Sequence, residues 1–195
     1  MTKTLFLIPG FTHSVKENAY KKVSAVFKKH GYTVIGFEPS WKRSTVSDQV
    51  AAFISFVESK KINPKECAIL GFSFGAIVAL IAAGKMKPKE LFLCSLSPYF
   101  AEDIKIMSAN WKKFIGKKRV ADFTTMNCKK LCAQVDSSTH LFVGEKESNK
   151  FPILLRRIKT AYASISESTL TLIPNAIHDI GQKEYLDALD KQLNQ

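Results

Sequence analysis

Short apolar runs alternate with amphipathic stretches along most of the chain. Leu5, Phe6, Leu7 and Ile8 are continuously apolar, as in a parallel strand covered on both faces, and Pro9-Gly10 stops the run. Ala19, Val23, Val26, Phe27 and His30 then recur at helical spacing, with Gly31 where a C-terminal cap belongs. Residues 32–37 read as the next strand. Val46, Val50, Phe53, Ile54 and Val57 mark a second helix that ends before Asn63-Pro64. Residues 67–71 form another buried run. Residues 76–83 are apolar on every side, which predicts a helix enclosed by protein and closed by Gly84. Further strands are expected at 91–96, 141–143 and 169–173. Ile153, Leu154, Ile158, Ala161 and Tyr162 mark one later helix, and Tyr185, Leu186, Leu189 and Leu193 the last.

This alternation predicts an α/β fold, a mostly parallel sheet of about six strands with helices on both faces. No repeat or linker interrupts it, so residues 1–195 are expected to form one domain. Residues 98–136 depart from the pattern. Trp111, Phe114 and Ile115 suggest one short helix there and residues 129–132 another. Ligands of such sheets bind beyond the carboxyl ends of the strands, so a cap-like insertion here is placed to roof a site.

With 46% hydrophobic and 24% charged residues, the composition is that of an ordinary globular protein. No apolar run reaches the length of a membrane span. The first apolar run is too short for a signal peptide, so a cytoplasmic protein is expected. The net charge of +12 comes largely from lysine pairs such as Lys21-Lys22, Lys28-Lys29 and Lys112-Lys113, which read as solvated faces. No nucleic-acid module accompanies them, although Lys112 to Arg119, with Trp111 and Phe114, is the densest basic stretch. Cys67 and Cys94 sit in strand-like runs. Cys128 and Cys132 lack a third metal ligand nearby, so unreactive thiols are expected, with neither metal nor organic cofactor.

The sharpest chemical signal is Gly71-Phe72-Ser73-Phe74-Gly75 between a strand and the buried helix. A tight turn there would lift the serine hydroxyl above the sheet, and the flanking glycines would let strand and helix approach. A serine hydroxyl needs a base, and the base an orienting carboxylate. Of His13, His30, His140 and His178, only His178 follows the final strand and precedes the final helix. His30 belongs to a helix end, and His140 precedes its strand at the wrong edge. The acid should leave the strand that ends at Val143, where Gly144-Glu145-Lys146-Glu147 offers Glu147 and, as runner-up, Glu145. Asp179 is expected to cap the last helix instead. His13 reads as a loop histidine near the site.

Leu7-Ile8-Pro9-Gly10-Phe11, the Ser73 pentapeptide, Gly144-Glu145-Lys146-Glu147 and His178 together resemble the α/β-hydrolase superfamily in order and spacing. The resemblance covers nearly the whole chain except residues 100–134. In that family a Gly-x-x-Asp usually supplies the acid, so Glu147 is a departure. The resemblance implies that the backbone N–H groups of Phe11 and Phe74 form the oxyanion hole. It implies a serine hydrolase using Ser73, His178 and Glu147 through an acyl-enzyme. Small carboxylic esters are the default substrate, thioesters come second and amides last, with Tyr99, Phe100 and Trp111 expected in an apolar pocket. The competing classes are a non-catalytic binding protein on the same scaffold and, on charge alone, a binder of acidic partners.

Overall fold

A computed structural model describes residues 3–195 of the chain; Met1 and Thr2, part of the stretch read for a leader, lie outside the described residues. Six strands form one parallel sheet in the order β2-β1-β3-β4-β5-β6. They are β1 (Lys3–Ile8), β2 (Tyr32–Gly36), β3 (Cys67–Phe72), β4 (Glu90–Cys94), β5 (Ser138–Gly144) and β6 (Ser168–Ile173). The register pairs Ile8 with Gly71, Phe72 with Cys94, and Gly144 with Ile173. The expected sheet is therefore present. His140 lies inside β5 rather than ahead of it.

Helices α1 (Asn18–Lys29) and α9 (Lys183–Leu193) cover one face, where Tyr20, Val23, Phe27, Tyr185 and Leu189 pack on Leu5, Leu70 and Phe92. The other face carries α2 (Val46–Ser59), α3 (Phe74–Met86) and α8 (Pro152–Tyr162). A reciprocal box starts α2: Thr45 Oγ1 accepts from the Asp48 N–H, and the Asp48 carboxylate accepts from the Thr45 N–H. Helix α3 is buried on nearly every side, as its uniform apolarity requires. It runs through Gly84 rather than ending there, and stops at Lys87 in the left-handed region. Gly84 is instead the place where the Gln134 side chain packs against the helix.

Between β4 and β5 the chain leaves the sheet and forms α4 (Ala109–Ile115), α5 (Lys117–Phe123) and α6 (Cys128–Cys132), preceded by a 3-10 turn at Ala101–Asp103. Ile115, Phe123 and Cys132 anchor these pieces in the core. A short helix α7 (Glu145–Lys150), unforeseen from the pattern, follows β5 directly. No helix among the described residues is long and apolar enough to cross a membrane.

This topology positions the site. The chain steps from β1 outward to β2 and then returns to the far side of β1 as β3, so loops diverge at the carboxyl ends of β1 and β3. Residues after β1, β3, β4, β5 and β6 all emerge at that same sheet edge.

Candidate active site

Ser73 sits between β3 and α3 with φ 57° and ψ −116°, a conformation few side chains adopt. The flanking glycines let strand and helix close tightly around the turn. A Cβ on Gly71 would come within 2.2 Å of the Gly75 carbonyl oxygen, and one on Gly75 within 2.4 Å of the carbonyls of Ile8 and Pro9. The Ser73 N–H donates to the Cys94 carbonyl at 2.9 Å and fixes the turn to β4. The first turn of α3 points its positive end at this position.

Three elements converge on the hydroxyl. His178 Nε2 lies 3.0 Å from Ser73 Oγ, and His178 Nδ1 lies 2.6 Å from Glu147 Oε2. Glu147 is the third residue of α7, which turns its side chain back over Gly144. Its Oε1 accepts from the Gly144 N–H and from Ser95 Oγ, both at 2.6 Å, and the residue is 3% exposed. With Nδ1–H directed to the carboxylate, Nε2 accepts the Ser73 proton. Glu145, the runner-up, turns away and accepts from the Asn175 N–H. Asp179 accepts from the Gly181 N–H at 2.8 Å, and the residue preceding α9 is Gln182, so the expected helix cap is not formed by Asp179.

Several partners were invisible in the pattern. Tyr185, on α9, donates to Ser95 Oγ at 2.5 Å, and Ser95 in turn donates to Glu147. Complete burial, with the Glu147 carboxylate nearby, raises the Tyr185 phenol well above its ordinary value, so it remains a donor. Ser97 Oγ lies 3.1 Å from Ser73 Oγ and donates to it. The Gly10 N–H donates to Tyr20 Oη at 2.9 Å, and Tyr20 Oη is hydrogen-bonded to His13 Nδ1 at the same distance. Burial keeps that phenol protonated too. The β1 loop is thus tied to α1, with Phe11 next to it. Neither the Phe11 nor the Phe74 N–H donates to any group among the described residues. The residue pair Ile8 and Gly71 in register brings the two loops side by side.

A cavity of about 700 Å³ opens over Ser73 and His178. Tyr99, Met107, Trp111 and Phe114 from the β4–β5 segment line it, together with Phe151 and Leu154. Burial pushes the Tyr99 phenol up to about 12. Phe100, expected in the pocket, is instead fully buried in the core beneath the Arg157 guanidinium. The backbone is extended at Phe100, with φ −120° and ψ 170°, so neighbouring side chains leave on opposite sides: Tyr99 into the cavity, Phe100 into the core. Trp111 and Phe114 line the mouth yet remain exposed rather than enclosed.

His30, His140 and the cysteines lie elsewhere. His30 bonds Asp190 on α9, and His140 faces Thr169. All four cysteines are free and buried, and Cys128 and Cys132 face each other across 4.0 Å between α3 and α8.

The model of the prolyl oligopeptidase family matches residues 35–144, more than half of the chain. The chain belongs to the prolyl oligopeptidase family. Its fold is that of the α/β-hydrolase superfamily, as the sequence resemblance implied. The matched stretch contains the Ser73 turn and stops at Gly144, before Glu147 and His178. No curated protein sequence matches the chain. Among solved structures it is similar to Est1E from Butyrivibrio proteoclasticus, at 13% identity and a TM-score of 0.80, covering 98% of this chain and 85% of that one. An esterase from Exiguobacterium antarcticum shares 12% identity at a TM-score of 0.73 over 99% of this chain and 92% of the other. MenH from S. aureus shares 16% identity at 0.71, with the same two coverages. At these identities the likeness concerns the fold.

Proposed function

We propose that this member of the prolyl oligopeptidase family is a serine hydrolase of carboxylic esters, using Ser73 as nucleophile, His178 as base and Glu147 as orienting acid. The observation that carries the reading is the unbroken relay from Ser73 Oγ through both nitrogens of His178 to a buried carboxylate. Ser73 Oγ attacks the ester carbonyl while its proton passes to His178 Nε2. The oxyanion that forms accepts from the Phe11 and Phe74 N–H groups, which are otherwise unengaged and supported by the α3 dipole. The imidazolium, stabilised by Glu147, returns the proton to the departing alcohol. Water then attacks the acyl-enzyme with His178 again as base, releasing the acid and restoring Ser73.

The wall chemistry supports an apolar substrate. Tyr99, Met107, Trp111, Phe114, Phe151 and Leu154 give an apolar lining, and the cavity's volume exceeds what a short acyl group fills. The expected small substrate is therefore the lower limit, and longer apolar esters fit as well. The family match favours one second reading, hydrolysis of a peptide bond, by the same steps with an amine leaving group. A cytoplasmic enzyme of one domain remains our reading for the whole chain.

The test is a panel of p-nitrophenyl esters of increasing chain length, an acyl thioester and a prolyl p-nitroanilide, each with wild type and Ser73→Ala. Ester turnover lost in the variant supports the assignment. Turnover of the anilide alone moves it to peptides. Equal rates for the two proteins refute the nucleophile.

A further inference from the structure

The mouth of the cavity carries apolar side chains that the fold leaves in solvent. Ile106 and Phe114 are each 59% exposed, Phe151 49% and Trp111 36%, and all four line the cavity. Trp111 and Phe114 stack with ring centroids 5.0 Å apart, so they form one platform rather than scattered surface residues. Ile106 and the platform come from the segment before β5, and Phe151 from the turn between α7 and α8. An apolar rim around a site is costly in water and signals a partner.

The segment that supplies Ile106, Trp111 and Phe114 carries charge of one sign. Between Asp103 and Asp122 the chain has five lysines and Arg119, and no acidic residue. Lys118 pairs with Asp48, but Lys105, Lys112, Lys113 and Lys117 have no ion pair among the described residues. Beside Phe151, Lys150 Nζ stands 5.4 Å from the ring centre. The one carboxylate in the cavity wall, Asp103, is buried and bonded to Arg157, so it adds little negative charge at the surface. Exposed large apolar side chains with lysines beside them in the chain are the arrangement that lies in a lipid interface, with aromatic rings among acyl chains and ammonium groups at phosphates.

We propose that this rim docks on an anionic lipid surface and takes esters bearing a long apolar chain from the lipid layer directly into the cavity. A fluid acyl layer can fill the irregular open mouth, whereas a folded acidic protein would need a matching apolar knob. The lipid docking stands on the rim alone; its substrate half rests on Ser73 being the nucleophile.

The experiment uses the Ser73→Ala protein, so that binding is read without turnover, and vesicles of phosphatidylcholine with or without phosphatidylglycerol. The protein should sediment with the phosphatidylglycerol vesicles only, and added salt should release it. Tryptophan emission should shift to the blue on binding, because Trp41 is already buried and Trp111 is the ring that changes environment. Reversing three rim charges (Lys105→Glu, Lys113→Glu, Lys150→Glu) should weaken binding on the order of a hundredfold. Ile106→Ser with Phe114→Ser should weaken it with net charge unchanged. Lys21→Glu with Lys22→Glu, on α1 across the sheet, should not. Circular dichroism shows that each variant is folded. Equal losses from the rim and α1 charge variants would reduce the effect to bulk charge and overturn the proposal, as would unweakened binding by the rim variants. Retention on a soluble acidic protein without vesicle binding would also overturn it. Because Ser73→Ala cannot turn over, failure here leaves the hydrolase reading standing, and failure of that reading leaves the docking measurable.

Discussion

Replacing Glu147 with Gln separates the acid's chemistry from its structural work. Gln keeps the volume and one carbonyl oxygen, so the Gly144 N–H and Ser95 hydroxyl, each 2.6 Å from Oε1, retain their acceptor. The amide nitrogen then occupies the place of Oε2, 2.6 Å from His178 Nδ1. A donor there forces Nδ1 to become an acceptor and moves the imidazole proton to Nε2, where it faces Ser73. The base is then in the wrong tautomer. The equivalent carboxylate-to-amide change in a serine triad costs about 10⁴ in kcat, so a fall of roughly 10³–10⁴, or about 4–5.5 kcal/mol of barrier, is expected here. Stability should change little, about 1–2 kcal/mol, because bonds to a charged carboxylate become neutral ones. In a domain of this size that is a Tm drop of a few degrees. Glu147→Ala would fall further, because two buried donors lose their acceptor and a cavity opens. The assay is steady-state hydrolysis of a p-nitrophenyl ester alongside thermal unfolding. A folded Gln variant within tenfold of wild-type kcat/KM would refute the tautomer argument and with it the role of Glu147.

Further outcomes follow from the neighbours of the relay and the walls of the cavity. Ser95→Ala should lower kcat more than it changes KM, and destabilise the fold by about 1.5–3 kcal/mol, because a charged acceptor loses a donor; an unchanged kcat would show the Ser95–Tyr185 chain to be structural only. Trp111→Ala should alter chain-length preference among esters with little change in Tm, since that ring is exposed and stacked on Phe114; a large drop in Tm with unchanged preference would make it core. Burial raises the Cys67 thiol from 9.0 to about 11, so the folded state holds a proton that the unfolded chain releases above 9.0. The stability this thiol contributes should therefore be lost as pH rises from 9.0 towards 11, and Cys67→Ala should flatten that fall in urea titrations.

Much of this was legible because burial writes itself into the sequence. Strands covered on both faces must be apolar throughout, which marks residues 5–8 and 67–71, and α3 is apolar on every side because it is enclosed. The Ser73 turn was readable from its glycines, whose absent side chains leave room for backbone carbonyls. His178 and Glu147 were reachable by order along the sheet, since each follows a strand that ends at the same edge. What stayed hidden depends on direction and distance. Helix α7 is six residues long and has no apolar stripe, so no periodicity announces it. Ser95 and Tyr185 meet across 90 positions, through a strand end and a helix that only the sheet brings together. Phe100 and Tyr99 look equivalent in composition, and only the extended backbone between them decides which enters the core. Gly84 reads as a terminator, yet its small size serves the packing of Gln134.

The central claim is that Ser73 is the nucleophile of this relay, and active-site labelling reads it most directly. Wild-type protein is treated with a fluorophosphonate, digested, and the modified peptide located by mass spectrometry. The geometry predicts one adduct, on Ser73 Oγ, formed rapidly because His178 Nε2 is 3.0 Å away, and slowed sharply in His178→Ala. Ser73→Ala should take up no label while remaining folded. Label found on another residue, or retained in Ser73→Ala at the wild-type rate, would contradict the account.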